Sequence, residues 1–318
     1  LEPLPQPKLP VTPVALVIGG GLSGMTAALD IAKSGFDVHL VEKERQLGGH
    51  LRRIHRTLIG VDPQETFRDL EKEVLGNPRI KVHLGDSVVE VKGYIGNFET
   101  ALKGGEKVKH GAIVVATGAV EYEPTEYLFG KNPKVIRQTD LGEMISDKGF
   151  KADSVVVIQC VGSRDEEHPN CSRICCSTAM ANAMKIKQDH PETGVYILYR
   201  DIRTFGFREE NYNEAARLGV VFLRYDPSSP PRVREEGGRL VVEVDEQFIE
   251  QTVTLKPDYL VLNAAVRPNP DNKELAQMLK VPLTKEGFFL EAHMKLRPVY
   301  FAGDRRDLYA FPTPPSPL

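Results

Sequence analysis

The sequence predicts an α/β protein built from two βαβ units of the dinucleotide-binding (Rossmann-like) kind. Three observations predict it. Near the start, the apolar run Val14-Ala15-Leu16-Val17-Ile18 leads into Gly19-Gly20-Gly21-Leu22-Ser23-Gly24. An amphipathic helical stretch through Met25, Ala28, Leu29 and Ile31, closed by Ser34-Gly35, then precedes a strand from Phe36 to Val41 that ends at Glu42. Further on, Ser154–Gln159, a helical pattern over Ser177–Gln188 and Val195–Tyr199 repeat the strand–helix–strand order.

Each glycine of the first turn has a distinct expected role. Gly19 permits the tight turn, Gly21 lets the backbone approach a pyrophosphate, and Gly24 lets the helix pack closely on the strand. The helix N-terminus presents free N–H groups and the positive end of its dipole to phosphates. Glu42 is placed to accept both ribose hydroxyls of a dinucleotide and to disfavour a 2′-phosphate. A packing role alone is the competing reading, and the complete order of strand, turn, helix, strand and acid argues against it. The fingerprint does not choose between NAD and FAD.

The rest of the chain divides by pattern. Residues 1–13 are proline-rich and read as an extended linker. Asp62-Pro63-Gln64-Glu65 has the form of an N-cap, a first-turn proline and a capping-box acid. It opens a helix to about Leu75, with Phe67, Leu70 and Val74 on one face. Ile80–Leu84, Ser87–Val91 and Asn97–Leu102 alternate like strands and are expected to form one small meander. Ala112–Val115 reads as a buried strand running into Ala116-Thr117-Gly118. A second unit is expected from about Leu141. Beyond the strand–helix–strand pattern already described, it holds a helix over Glu209–Leu218 and a strand over Val220–Leu223. Hairpin strands over Arg239–Val244 and Thr252–Leu255 follow, and a closing strand over Asp258–Ala265. The loop Arg200–Arg208 carries three arginines, either a solvated loop or an electropositive edge.

All four cysteines fall within CVGSRDEEHPNCSRICC, spaced Cys160-x10-Cys171-x3-Cys175-Cys176. Random placement would scatter them. Four thiolates complete a cubane iron–sulfur cluster or a tetrahedral zinc site. Adjacent Cys175 and Cys176 make awkward disulfide partners because their ring strains the S–S torsion. All-cysteine zinc sites usually show two close pairs, which this spacing fits poorly. His168 reads as a loop residue, since four thiols already suffice as ligands. Arg164 and Arg173 stand near enough in sequence to tune the charge around the sulfurs, or simply face solvent.

Composition excludes several classes. With 318 residues, 27% charged, a net charge of -3 and 41% hydrophobic, the chain is ordinary globular material. It has no basic field for nucleic acid, no apolar run of membrane-spanning length and no signal-peptide pattern. Disulfide scaffolds are small and cysteine-dense, so a reducing cytoplasm fits better. No His, Ser or carboxylate constellation points to hydrolysis, and no catalytic residue is assigned.

Two resemblances sharpen this reading. Glu42-Lys43-Glu44-Arg45-Gln46-Leu47-Gly48-Gly49-His50-Leu51-Arg52 resembles the acid-then-double-glycine segment of the two-dinucleotide-binding-domain flavoproteins. Ala116-Thr117-Gly118 resembles the segment by which those proteins return to the sheet beside the nucleotide, and Arg267-Pro268-Asn269 their crossover back into the FAD domain. The resemblance implies FAD bound by Gly19, Gly21, Gly24, Glu42, Lys43, Gly48, Gly49, Ala116, Thr117 and Gly118. Where that superfamily carries a second glycine turn for NAD(P)H, this sequence carries its cysteines, so no nicotinamide is expected there.

More specifically, the segments at Glu42–Arg52, Cys160–Glu166 (CVGSRDE), Cys171–Cys176 (CSRICC), Arg200–Glu209 (RDIRTFGFRE) and His293–Val299 (HMKLRPV) resemble the A subunits of heterodisulfide reductases. The resemblance runs over nearly all of residues 14–304. It implies two Rossmann-like domains of the FAD/NAD(P)-linked reductase type, the second inserted in the first. Residues 14–140 and 264–304 would form a discontinuous FAD-binding domain, 141–263 an inserted NAD(P)-domain-like unit, and 305–318 a proline-rich tail. Cys160, Cys171, Cys175 and Cys176 would hold a [4Fe–4S] cluster near the flavin. The implied activity is flavin-based electron transfer or bifurcation by an oxidoreductase within a larger complex. Its implied partners are other iron–sulfur subunits of a reductase complex in the cytoplasm, with homodimerisation left open. A dithiol–disulfide flavoprotein reductase and a non-catalytic zinc or scaffold module are the alternatives. The family's additional cysteine motifs are missing, so truncation at both ends is expected. Gly303-Asp304 resembles a late flavin motif of the superfamily, but alignment on HMKLRPV expects that strand further on.

Overall fold

The computed structural model describes residues 10–58, 60–147 and 149–290, and the backbone of 299–300 and 308–310. In chain order the first elements are β1 (Val14–Ile18), α1 (Leu22–Lys33), β2 (Asp37–Glu42), a 3-10 turn (Gly49–Arg53), α2 (Pro63–Gly76) and β3 (Ile80–Leu84). β4 (Val88–Tyr94), β5 (Asn97–Leu102), β6 (Lys107–His110), β7 (Ala112–Val115), β8 (Ala119–Glu121), β9 (Val135–Arg137) and α3 (Gln138–Met144) follow. Then come β10 (Ser154–Val161), α4 (Cys175–Asp189), β11 (Gly194–Tyr199), α5 (Glu209–Arg217), β12 (Val220–Arg224), β13 (Arg232–Glu236), β14 (Arg239–Glu246) and β15 (Gln251–Leu255). β16 (Tyr259–Ala264), β17 (Val266–Pro268), α6 (Asn272–Leu279), β18 (Val299–Tyr300) and β19 (Leu308–Ala310) complete the order.

Two mostly parallel sheets organise these elements. The first has the order β18-β19-β7-β1-β2-β3 and the second the order β12-β11-β10-β16-β9. Their central strands read as unbroken apolar runs because both faces are covered. On β1, Leu16 and Ile18 pack towards the β4–β5–β6 meander and α6, while Val17 packs with Met25 and Ala28 of α1. In the second sheet, Val155 and Val157 of β10 face α4 and α5, while Val156 and Ile158 face the β13–β14–β15 sheet. Burying one such Val or Leu contributes about 1.5–3 kcal/mol. The first sheet's chain leaves after β7 and returns through β17, which pairs antiparallel with β8.

Three details differ from the sequence expectation. Ile80–Leu84 is not part of the meander; it pairs parallel with β2 as the edge of the first sheet, and β6 is the meander's third strand. β9, which lies before residue 141, joins the second sheet beside β16. The hairpin region gains a third strand, β13. Asp62 caps α2 by accepting from the backbone N–H groups of Gln64 and Glu65. Among the described residues no helix is long and apolar enough to cross a membrane. Most of HMKLRPV, Gly303-Asp304 and most of the proline-rich ends lie outside the described residues.

Candidate functional site

The glycine turn sits at the carboxyl ends of β1 and β2, where open α/β sheets bind ligands. Gly24 allows the close approach of α1, since a Cβ there would collide with the Gly19 carbonyl oxygen. At Gly21 a Cβ would meet nothing within 4 Å, so this position faces open space rather than packing. Gly21 is also the N-cap of α1 and has no side-chain cap, which leaves the first helical N–H groups free to meet a ligand. Gly48 donates its N–H to the Gly20 carbonyl at 2.8 Å, and Gly21 and Gly48 form a parallel bridge. The double glycine therefore lies flat against the turn.

Glu42 is buried. Its Oε2 accepts from Gly20 N at 2.6 Å and its Oε1 from Glu44 N at 2.8 Å. Each oxygen keeps a second lone pair. Lys43 reaches Asp271 at 2.7 Å. Thr117 Oγ1 donates to Asn272 Oδ1 at 3.0 Å, and Asn269 Nδ2 donates to the Thr117 carbonyl at 3.2 Å. Ala116 and Gly118 flank Thr117 at the end of β7. Gly19, Glu42, Lys43, Thr117, Asn269 and Asp271 line a cavity of about 360 Å³, within the usual range for small-ligand sites.

The second site forms where β10 hands over to α4. β10 runs through Cys160, with a register shift against β16 between Ile158 and Val161. Cys160, Arg164 and Arg173 all adopt left-handed backbone, with φ of 63°, 60° and 61°. Such values are uncommon outside glycine and gather at functional loops. Cys175 and Cys176 occupy the first turn of α4, whose N-cap Ile174 supplies no side-chain bond, so the positive helix end faces the thiols. All four cysteines are free, three buried and Cys171 partly so.

Each sulfur has a defined neighbour. Arg164 Nη1 lies 3.9 Å from Cys160 Sγ, and Asp201 holds its guanidinium in an ion pair. Arg173 N–H donates to Cys171 Sγ at 3.4 Å and Arg203 N–H to Cys176 Sγ at 3.5 Å. Cys175 Sγ donates to the Ala264 carbonyl at 3.7 Å. Arg200 donates to the Arg164 carbonyl, so two of the three arginines of the 200–208 loop belong to this site. His168 bonds within the loop: its carbonyl accepts from Arg164 N, and its ring lies 3.5 Å from Asp165.

Burial pushes the Cys160 thiol up, against the pull of Arg164. Burial, reinforced by the other three thiols, pushes Cys175 up further. Cys176 is pushed up to about 11 by burial, opposed by the Arg203 N–H. A divalent or cluster iron would overcome this by taking the thiolate directly. No three of the sulfurs lie within 4.8 Å of one another among the described residues. A single zinc, with Zn–S of about 2.3 Å, draws its sulfurs to within about 4 Å. A cubane takes each thiolate on a separate iron and so spaces them more widely.

The two sites share one crossover. Ala264 touches Cys175, Val266 N–H donates to Ser172 Oγ at 2.8 Å, and Asn269 holds Thr117. Tyr122, after β8, packs against Gly162 of the cysteine loop so closely that a Cβ there would strike its ring; Arg267 stacks on it at 4.8 Å. Sequence reasoning missed Tyr122, Gln159, Ser172, Asn263 and Asn272. Their roles depend on partners distant in sequence, and only the Pro268-Asn269 crossover left a local signal.

Residues 14–158 match the family model described as pyridine nucleotide-disulphide oxidoreductase. The iron-sulfur A subunit of CoB–CoM heterodisulfide reductase from Methanocaldococcus jannaschii is 30% identical over 400 aligned positions, covering 94% of this chain and 60% of that protein. The A subunit of the H(2)/formate:CoB-CoM heterodisulfide,ferredoxin reductase from Methanococcus maripaludis is 29% identical, with coverage of 94% and 60%. The chain thus spans about 60% of the length of these curated relatives. Thioredoxin reductase of T. acidophilum superimposes with a TM-score of 0.61 at 17% identity, over 93% of this chain and 88% of that one. The Lactococcus lactis enzyme gives 0.61 at 14% identity, over 93% and 88%. The fold is therefore the two-domain Rossmann-type α/β fold of these reductases.

Proposed function

From a chain homologous over 94% of its length to the A subunits of heterodisulfide reductases, we propose an oxidoreductase module that carries FAD and one [4Fe–4S] cluster. It passes electrons between them inside a complex with other iron–sulfur subunits, in the cytoplasm. The carrying observation is the shared crossover: residues 264–269 touch Cys175 at one end and Thr117 at the other. A two-electron flavin and a one-electron cluster would supply the redox chemistry when bound there.

The chain's own residues have the following roles in this reading. Gly21, the free N–H groups of α1 and the Gly48-Gly49 segment receive the pyrophosphate. Glu42 accepts from the ribose through its remaining lone pairs, with Lys43 at the cavity wall. Gly19 and Gly24 hold the turn on its helix, and Ala116, Thr117 and Gly118 form the floor. Cys160, Cys171, Cys175 and Cys176 ligate iron. Arg164, the Arg173 and Arg203 N–H groups and the α4 N-terminus offset the negative charge of thiolates and cluster.

A dithiol–disulfide reductase on the same fold is less well supported. Its attacking thiol needs a depressed pKa and some exposure, whereas burial raises Cys160, Cys175 and Cys176. That leaves the partly exposed Cys171 as the one candidate, with only buried thiols to pair with it. The test is a visible spectrum of anaerobically purified protein, with flavin, iron, zinc and acid-labile sulfide measured on the same sample. About four irons and four sulfides per chain are expected, with flavin bands beneath the brown absorbance. Cys171→Ala should lose the iron and keep the flavin. Zinc without colour, or an unchanged iron content in Cys171→Ala, would sink the reading.

A further inference from the structure

Gln159 directly precedes Cys160 on β10 and is 1% exposed. The orientation of its carboxamide follows from its neighbours. Asn263 Nδ2 lies 2.7 Å from the Cys175 carbonyl. A carbonyl only accepts, so that end of Asn263 must be nitrogen. The same nitrogen lies 2.8 Å from Gln159 Oε1, which must therefore be oxygen. Networks of this kind fix which end of an amide is which. The end left over is Gln159 Nε2, and it has no hydrogen-bond partner among the described residues.

Buried donors without partners are rare in native proteins, and each calls for an explanation. This donor is lodged beside the first turn of α4, because Asn263 ties Gln159 Oε1 and the Cys175 backbone to one nitrogen. Its backbone is held as well, since Tyr225 Oη donates to the Gln159 carbonyl at 3.2 Å. The residue is therefore held at its carboxamide oxygen and at its backbone, one residue before Cys160 and tied through Asn263 to the Cys175 backbone, with the side-chain amide nitrogen unused. A second unpartnered buried atom, Ser177 Oγ, stands next to Cys176 on the same helix turn.

We propose that Gln159 Nε2 donates a hydrogen bond to a sulfur of the iron–sulfur cluster held by Cys160, Cys171, Cys175 and Cys176, and that this bond raises the cluster's reduction potential. The inference rests on the four-cysteine reading above. Negative charge on the sulfurs grows when the cluster takes up an electron. A donor aimed at a sulfur thus stabilises the reduced state more than the oxidised one. Gln159 sets how readily the cluster accepts its electron; it does not hold the iron.

The experiment compares the whole chain with its Gln159→Met variant, which keeps the side-chain length and removes the donor. Iron and sulfide content should be equal in the two. At a fixed poise the reduced-to-oxidised ratio of the cluster should fall about tenfold in the variant, a shift of about 59 mV to lower potential for a one-electron couple. A second measurement needs no variant. Wild-type protein labelled with 15N in the glutamine side-chain amides should show a 15N coupling to the reduced cluster by pulsed electron–nuclear resonance. Full iron with an unchanged potential, or no 15N coupling, would overturn the role of Gln159 and leave the cluster reading standing. A wild-type chain reconstituted anaerobically that takes up no iron would overturn both.

Discussion

His110 has no exposed surface. It accepts the Thr100 hydroxyl at Nε2 (2.7 Å) and donates from Nδ1 to the Ala112 carbonyl (3.1 Å), which assigns the neutral tautomer with its proton on Nδ1. Burial pushes its pKa down from 6.5 to about 4, with the bond to Ala112 opposing. The folded chain therefore keeps His110 neutral over a range where the unfolded chain takes up a proton. The stability at stake is fully present above pH 6.5 and is lost as pH falls towards about 4. At about 1.4 kcal/mol per pKa unit this is about 3 kcal/mol. Urea unfolding between about pH 7 and 4 should show a slope shallower by one proton in His110→Leu, even though that variant starts less stable. Equal slopes would show that another group governs the acid limb. Residues of this kind were invisible in sequence. His110 depends on Thr100, and Asn263 on Gln159 across 104 positions. The cysteines were legible because cysteine is rare and all four fall in one short stretch.

At the scale of elements, the β1–α1 turn separates two roles that one glycine motif combines. A Cβ at Gly24 would collide with the Gly19 carbonyl, whereas one at Gly21 would enter open space, and Gly21 has an ordinary extended backbone at φ -76°. Gly24→Ala should therefore cost about 1–3 kcal/mol of fold stability through overpacking. Gly21→Ala should leave the unfolding midpoint in place while FAD affinity, measured by flavin fluorescence titration, falls at least tenfold. Equal flavin affinity in Gly21→Ala would remove the phosphate-binding role from the turn. This turn was legible because strand, glycines, helix and acid are neighbours in sequence. The edge strand Ile80–Leu84 was not assignable in the same way. A half-exposed parallel edge alternates just as a meander strand does, and alternation carries no information on which sheet supplies the hydrogen bonds. β6, Lys107–His110, escaped notice because its two lysines alternate with Val108 and His110 in only four residues.

Across the whole molecule, the two sheets have separate cores, and their relative placement depends on the β8–β17 ribbon and a cluster of charges around Arg53. Arg53 ends the 3-10 turn that begins at Gly49. Its guanidinium reaches Asp140 at 2.5 Å, Glu143 at 3.1 Å and Glu121 at 3.4 Å. Asp140 and Glu143 lie on α3, which packs in the second unit's core through Leu141, so one side chain links the double-glycine segment to that unit. Nearby, Arg56 donates to the Ile145 carbonyl, continuing the same seam. Removing the cation leaves three carboxylates facing one another, with Arg137 as the nearby cation at 3.3 Å from Asp140 and 3.6 Å from Glu121, and the Thr139 hydroxyl donating to Glu121. Arg53→Met should therefore destabilise the seam by about 1–2 kcal/mol, since charged hydrogen bonds are lost but Arg53 is partly screened by solvent. Hydrogen exchange should quicken at the Gly49–Arg53 turn and in α3, while β1, β10 and β16 keep their protection. High salt should narrow the difference by screening the carboxylates. Unchanged exchange in α3 would mean that the β8–β17 ribbon alone fixes the spacing between the glycine turn and the cysteines.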